Sequence, residues 1–295
     1  MGLNDPTRLD LDDSTYPQEE EIPQTKLQKI ISNIAPNFRY EYREYFAEFL
    51  STMILLIFGN SVVHQVLLNT ENTSGEYLSI NLGWGFGLTV AIYSNAGISG
   101  AHLNPAVTIT LALLRGFPWK KVPGFIFAQT LGAFCGAGLV HSLWLADINE
   151  FDGGVRQVVG PQATASFYAT YPQPFLNLGT AFWTELLSTG LLMIALLGCN
   201  DKRNAIHVGA NPIFVGILVV TIGMCTGFLT GYAINPARDF GPRLFTWVAG
   251  YGTEVWTASN YYFWVPVIGP IVGAVLGGIV FEFLLCGTAK PKNTF

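Results

Sequence analysis

The sequence contains little charge: only 12% of its 295 residues are Asp, Glu, Lys or Arg, whereas 50% are hydrophobic. Soluble globular domains carry about 25% charged residues. A chain with half that share lacks the side chains that cover a water-exposed surface, so the composition argues against a single soluble domain. The same apolar excess excludes disorder for all but the ends of the chain.

Cysteine is also scarce, and its spacing fits neither a disulfide framework nor a metal site. The four cysteines lie inside or beside apolar runs: Cys135, Cys199, Cys225 and Cys286. The sequence also lacks a nucleophile–base pairing, a phosphate-binding loop and a metal-ligand cluster. We therefore expect no enzyme activity, no cofactor, no bound metal and no nucleic-acid partner.

The acidic residues that are present concentrate near the N-terminus. Residues 1–25 hold seven acidic side chains and one arginine, a charge of −6, while the whole chain carries −5. Such an acidic segment, rich in Pro and Gln, is typical of disorder. We expect residues 1–43 to form an acidic, disordered cytoplasmic tail, residues 44–288 to form a membrane domain, and residues 289–295 to form a short second tail.

Long apolar stretches dominate the membrane domain. A hydrocarbon layer of about 30 Å is spanned by about 20 mostly apolar helical residues. On this basis the sequence predicts an all-α integral membrane protein in which six helices cross the bilayer. Their approximate limits are 46–68, 77–96, 121–144, 178–199, 211–230 and 260–285.

Lysine and arginine are unevenly distributed between the two sides of these spans. One side, which includes both ends of the chain, holds 12 of the 15 basic residues, and only Arg156, Arg238 and Arg243 lie on the other. Because cytoplasmic loops carry an excess of Lys and Arg, we expect both termini in the cytoplasm. An even number of spans also requires the two termini to lie on the same side. Asn72 begins an Asn-Thr-Ser sequon in an outward loop and is a possible glycosylation site.

The chain contains an internal repeat. Residues 47–52 resemble residues 184–189, and residues 100–106 resemble residues 231–237. The two copies extend over about 44–145 and 178–286. Since each copy holds three spans, an odd number, the second copy enters the membrane from the opposite side, and functional groups are expected near the midplane.

Each copy contains an Asn-Pro-Ala segment followed by an apolar stretch too short to span the bilayer. Proline is favoured at the first helical position, and asparagine is a good cap. Each segment therefore predicts the start of a re-entrant half-helix of about ten residues, about 15 Å long. The residues concerned are Asn104, Pro105 and Ala106 in the first copy and Asn235, Pro236 and Ala237 in the second.

Two half-helices entering from opposite faces meet near the midplane at their N-termini. Each N-terminus carries a positive partial charge of about half an elementary unit, which opposes a cation or a hopping proton. Asn104 and Asn235 can also direct amide donors at a solute. These features predict a narrow pore for neutral molecules that accept hydrogen bonds. The two Asn-Pro-Ala segments would form the central constriction of this pore.

The two motifs resemble those of the aquaporins, the major intrinsic protein family. They are Ser99 to Thr108 (SGAHLNPAVT) and Thr230 to Arg243 (TGYAINPARDFGPR). Within this family, the sequence is similar to the glycerol-conducting branch, the aquaglyceroporins, at two pairs of residues: Asp239 with Arg243, and Pro266 with Val267. The resemblance implies the aquaporin fold and a passive channel for glycerol, other small neutral solutes and water. We expect this channel in the plasma membrane, with an intracellular membrane as the alternative. It also implies a homotetramer with one pore per subunit.

The resemblance further implies a selectivity filter made of Trp84, Gly223, Tyr232 and Arg238. Arg238 would bind the hydroxyls of a polyol, because its guanidinium offers a fixed fork of donors and keeps its proton. The rings of Trp84 and Tyr232 would contact the CH groups. Gly223 is expected to leave room in the lumen that a larger residue fills in a water-selective channel.

Four further residues are expected to brace the re-entrant loops: Glu48, Glu185, His102 and Asp239. The two glutamates occupy equivalent positions of the repeat, and a proton relay is the functional alternative for them. Three other functions stay open at this stage: a water-selective channel, a proton-coupled carrier, and a mainly structural protein whose pore is gated by the N-terminal tail.

Overall fold

The computed structural model describes residues 25–69 and 73–286, which fold into a bundle of helices. Asn72 and residues 289–295, for which the sequence predicts a glycosylation site and a tail, lie outside the described residues. In chain order the described α-helices are α1 (Lys26–Ser32), α2 (Pro36–Leu68), α3 (Tyr77–Ser99), α4 (Pro105–Leu114), α5 (Val122–Leu143), α6 (Leu145–Asp152), α7 (Leu178–Cys199), α8 (Asn211–Thr230), α9 (Pro236–Thr246), α10 (Glu254–Tyr261) and α11 (Val265–Leu285).

The described chain offers five helical segments that are long and apolar enough to cross a membrane. They contain α2, α5, α7, α8 and α11. The sixth predicted span is α3, a helix of 23 residues, which at 1.5 Å per residue is about 35 Å long. It is long enough, but polar side chains such as Asn81 and Asn95 make it less apolar than the other five. The all-α class that the sequence predicts is confirmed.

The first long helix begins earlier than the sequence predicts. α2 starts at Pro36 rather than near residue 46, and α1 precedes it. Thr25 caps α1 through a capping box with Gln28, and Arg39 Nη1 donates a 2.5 Å hydrogen bond to the Ile31 carbonyl. Residues 26–32 and 36–43 of the expected tail are therefore helical. Residues 1–24 of the tail lie outside the described residues.

Glycine allows the same close helix contact in both halves of the chain. A Cβ atom added at Gly132 of α5 would lie 2.3 Å from the Phe49 carbonyl oxygen of α2. A Cβ atom added at Gly273 of α11 would lie 2.2 Å from the Leu186 carbonyl oxygen of α7. Helix backbones thus touch directly at equivalent positions, as small residues permit in membrane bundles. This correspondence fits the predicted repeat.

The structure contains short helices at both predicted half-helix positions. α4 has 10 residues and α9 has 11, so each reaches about half the thickness of a bilayer core. Both begin with proline. Asn104 Oδ1 accepts a hydrogen bond from the Ala106 N–H, and Asn235 Oδ1 accepts one from the Ala237 N–H, so each asparagine caps its helix as expected.

Candidate functional site

The two Asn-Pro-Ala segments meet and are joined by reciprocal hydrogen bonds. Asn104 Nδ2 donates to the Ile234 carbonyl at 2.8 Å, and Asn235 Nδ2 donates to the Leu103 carbonyl at 2.8 Å. Each amide is held by its cap bond at the oxygen and by this cross-bond at the nitrogen. Because an amide nitrogen has two N–H groups, each asparagine keeps one further donor. The N-termini of α4 and α9 are thereby fixed start to start.

The loop before α4 is held by the buried carboxylate of Glu48. Oε1 accepts hydrogen bonds from Ser99 Oγ at 2.7 Å and from the His102 backbone N–H at 2.9 Å. Oε2 accepts from the Leu103 N–H at 2.8 Å and from Gln129 Nε2 at 2.8 Å. Four donors therefore converge on one carboxylate, an arrangement that fixes the loop backbone.

The loop before α9 repeats this arrangement around Glu185. Oε1 accepts from Thr230 Oγ1 at 2.7 Å and from the Ala233 N–H at 3.0 Å, and Oε2 accepts from the Ile234 N–H at 2.8 Å. Glu185 is fully buried, as is Glu48. The structure thus brings each glutamate to the backbone of the re-entrant loop in its own half.

These loops hold non-glycine residues in the left-handed backbone region at equivalent positions of the repeat. Ala101 and Leu103 have φ of 50° and 53°, and Tyr232 and Ile234 have φ of 39° and 45°. Such conformations cost free energy and persist where surrounding contacts impose them. Here the hydrogen bonds to the two glutamates impose them, because all four backbone N–H groups that donate to the glutamates belong to these residues or their neighbours.

His102 packs beneath its loop. Nδ1 is 3.1 Å from Thr108 Oγ1, and the ring lies edge-on to Phe117 and is tilted against Phe125, with ring centroids 4.8 and 5.2 Å away. The imidazole therefore joins α4 to the aromatic cluster at the start of α5. This position fits the bracing role that the sequence predicts for His102.

Arg238 and Trp84 lie in contact near the start of α9. The Arg238 Cζ atom is 4.2 Å from the centroid of the Trp84 ring, and Nη1 donates a 3.0 Å hydrogen bond to the Tyr168 carbonyl. Within the described part of the chain, no carboxylate oxygen lies within 4.0 Å of the Arg238 guanidinium. The cation is thus held by a π-face and a carbonyl, and its remaining guanidinium N–H groups donate to none of the described residues.

Gly223 lies against the side chains of Asn81 and Tyr232. A Cβ atom added there would lie 2.3 Å from Asn81 Oδ1 and 2.8 Å from Tyr232 Cζ. A side chain at this position would therefore meet Asn81 and Tyr232. Gly59 has the same relation to Trp84, because a Cβ atom there would lie 2.3 Å from a carbon of the indole. The two glycines thus leave the space that the rings of Trp84 and Tyr232 occupy.

Asp239 forms a fully buried ion pair with Arg243. Arg243 Nε donates to Asp239 Oδ1 at 2.8 Å, and Asp239 Oδ2 accepts from the N–H and hydroxyl of Thr170 at 2.7 and 2.6 Å. Arg243 also donates to the Thr170 and Val255 carbonyls. The pair therefore ties the loop around Thr170 and helix α10 to α9, close to Arg238.

Sequence analysis does not identify the residues that hold the carbonyl partner of Arg238. The Tyr168 hydroxyl is 2.7 Å from His141 Nδ1, and the ring of His64 stands edge-on to the Tyr168 ring at 4.7 Å. Burial raises the pKa of the Tyr168 phenol, so it stays protonated. In the sequence, the loop that contains Tyr168 is indicated by an uncharged run, residues 157–177, which lies outside every predicted span.

Comparison with known proteins agrees with this geometry. Aquaglyceroporin-2 of Rhizophagus irregularis is 46% identical over 248 residues, covering 84% of this chain and 78% of that protein. Mouse aquaporin-7 is 44% identical over 265 residues, covering 89% of this chain and 86% of the mouse protein. The X-ray structure of the aquaglyceroporin from Plasmodium falciparum superposes with a TM-score of 0.74 at 34% identity, covering 84% of this chain and 97% of that one.

The family model described as Major intrinsic protein matches residues 37–281, nearly the whole described chain. Relatives of this identity that share most of their length with the chain, together with the matching helical fold, confirm the resemblance that the two Asn-Pro-Ala motifs predict. The protein is therefore a member of the major intrinsic protein family.

Proposed function

We propose that the protein is a passive channel for glycerol and other small neutral solutes together with water, and that it excludes protons and ions. The observation that carries this proposal is the reciprocal hydrogen bonding of Asn104 and Asn235, which places the positive ends of α4 and α9 against each other. A cation at that point meets two positive partial charges. A neutral solute instead meets fixed amide donors.

Selection among neutral solutes is assigned to Trp84, Gly223, Tyr232 and Arg238. A polyol carries hydroxyls along one side and CH groups along the other, so it matches a wall that has guanidinium donors on one part and aromatic rings on the next. The aquaglyceroporin names of the relatives support glycerol as the solute. Arg238 adds a positive charge that repels cations before they reach the midplane.

The four remaining site residues are assigned to structure. Glu48 and Glu185 anchor the re-entrant loops, His102 supports the first loop, and Asp239 fixes the wall beside Arg238. A structural role is favoured over a proton relay, because the described hydrogen bonds of both carboxylates include backbone N–H groups of the re-entrant loops that they brace. The chain is also proposed to assemble as a homotetramer in the plasma membrane, with both termini in the cytoplasm.

The function is tested with purified full-length protein reconstituted into liposomes. Stopped-flow light scattering under separate water and glycerol gradients measures the two permeabilities. Both are expected to exceed those of empty liposomes by at least tenfold. Glycerol permeability equal to that of empty liposomes, with fast water flow, would instead establish the water-selective alternative. Absence of both flows, with and without residues 1–43, would favour a mainly structural protein.

A further inference from the structure

Asn81 is a buried amide whose hydrogen-bonding capacity is unused. The residue is 1% exposed, and neither Oδ1 nor Nδ2 has a hydrogen-bond partner among the described residues. Leaving a buried polar group unpaired costs free energy, and native proteins retain few such groups. The unpaired amide of Asn81 is therefore available to bind a group that does not belong to the folded chain.

The surroundings of Asn81 are the filter residues themselves. Asn81 lies three residues before Trp84 on α3, so the two side chains project from the same face of the helix. Asn81 Oδ1 and Tyr232 Cζ both lie within 2.8 Å of the position that a Gly223 Cβ would take. The Tyr232 hydroxyl is buried and also has no partner among the described residues. Two unused polar groups thus stand side by side at the filter.

The chemistry of a polyol supplies what these groups lack. Arg238 can only donate hydrogen bonds, so a hydroxyl that accepts from it still has its own proton to donate. Asn81 Oδ1 is a side-chain acceptor adjoining the filter, and Nδ2 is a donor for the oxygen of a neighbouring hydroxyl. A residue with both functions satisfies vicinal hydroxyls, whose donors and acceptors lie close together.

We propose that Asn81 is a specificity-determining residue that binds the hydroxyls of a polyol in the filter, on the side formed by Gly223 and Tyr232. The proposal rests on the proposed function and extends it to a residue outside the four assigned to the filter. Asn81 supplies the acceptor for the hydroxyl proton, while Arg238 supplies the donor for the hydroxyl oxygen.

The test replaces Asn81 by a side chain of similar size that cannot form hydrogen bonds. In Asn81→Leu, glycerol permeability is expected to fall five- to tenfold, while water permeability changes less than twofold. Propane-1,2-diol, which has one hydroxyl fewer, is expected to lose less than glycerol. Thermal stability should be unchanged or raised, since the lost amide has no partner in the fold.

Asn95→Leu is the matched control. Asn95 lies on the same helix, is buried, and has an Nδ2 without a partner among the described residues. It is 14 residues farther along α3, about 21 Å from Asn81. Its replacement is expected to leave the ratio of glycerol to water permeability unchanged.

A second pair covers the case in which leucine prevents reconstitution. Asn81→Ser retains a small donor and acceptor, whereas Asn81→Ala is nearly the same size without them. Serine is expected to conduct glycerol at least threefold faster than alanine. If the parent protein conducts glycerol and neither pair changes the glycerol-to-water ratio, the role of Asn81 is refuted while the channel function stands. A parent protein without glycerol flow would refute the channel function itself.

Discussion

At the scale of single residues, the proposed filter depends on two glycines that leave space for its rings. Gly59 and Gly223 lie on different helices. Gly59 leaves space for the indole of Trp84, and Gly223 leaves space for the phenol of Tyr232. A Cβ contact below 3 Å with a packed ring forces that ring to move. In a filter whose wall is the ring, such a shift changes the cross-section of the passage.

Gly223→Ala is therefore expected to displace Tyr232 or Asn81 and narrow the filter. Since glycerol is wider than water, its permeability should fall at least tenfold, with a loss for water below threefold. Stopped-flow measurements on the same liposomes give both values. Equal losses for the two solutes would contradict the position assigned to Gly223.

Gly97→Ala is the control for adding a methyl group to a helical glycine. A Cβ atom at Gly97 meets no atom within 4 Å, and alanine has a higher helix propensity than glycine by about 1 kcal/mol. Both permeabilities should equal those of the parent protein.

At the scale of elements, the positions of the half-helices depend on loops that are held by hydrogen bonds to two of the long helices. Glu48 in α2 and Glu185 in α7 reach the loops before α4 and α9, and their oxygens accept seven hydrogen bonds in all. Without these acceptors, buried backbone N–H groups would be left unpaired. The long helices thus determine where the N-termini of the short ones lie.

Glu48→Gln tests this dependence. The amide retains one acceptor oxygen and turns an NH₂ group toward donors, so at least one buried N–H loses its partner, at a cost of about 2 kcal/mol. Thermal unfolding in detergent should show this loss, with both water and glycerol permeabilities reduced together. A variant of parental stability with only proton-dependent transport lost would instead support a relay.

Glu282→Gln provides the comparison. Glu282 pairs with Arg115 at the end of α11, and both side chains are about one-third exposed. A partly exposed ion pair contributes at most about 1 kcal/mol, so this variant should retain nearly the full stability and both permeabilities.

At the scale of the whole molecule, the repeat made much of the architecture predictable. Two Asn-Pro-Ala segments in equivalent places predicted α4 and α9, and the structure has helices that begin at Pro105 and Pro236. The loop that supplies the Tyr168 carbonyl could not be predicted. It has no periodic pattern, and its position is fixed by His141 and Asp239, which come from distant elements. Asn81 was likewise missed, because an asparagine inside a span gives no sign of where its amide points.

The transport mode is a property of the whole molecule, because it depends on the two half-helices and Arg238 acting on one permeant. A membrane potential of 100 mV changes the energy of moving one charge across the bilayer by about 2.3 kcal/mol, about a 50-fold effect on a charge-limited flux. A channel for neutral solutes should therefore show the same glycerol flux, within twofold, at +100 and −100 mV imposed by a potassium gradient with valinomycin. An inward proton gradient should not drive glycerol above its external concentration. Accumulation above that level would contradict a passive channel and would identify a proton-coupled carrier, with Glu48 and Glu185 as the first residues to replace.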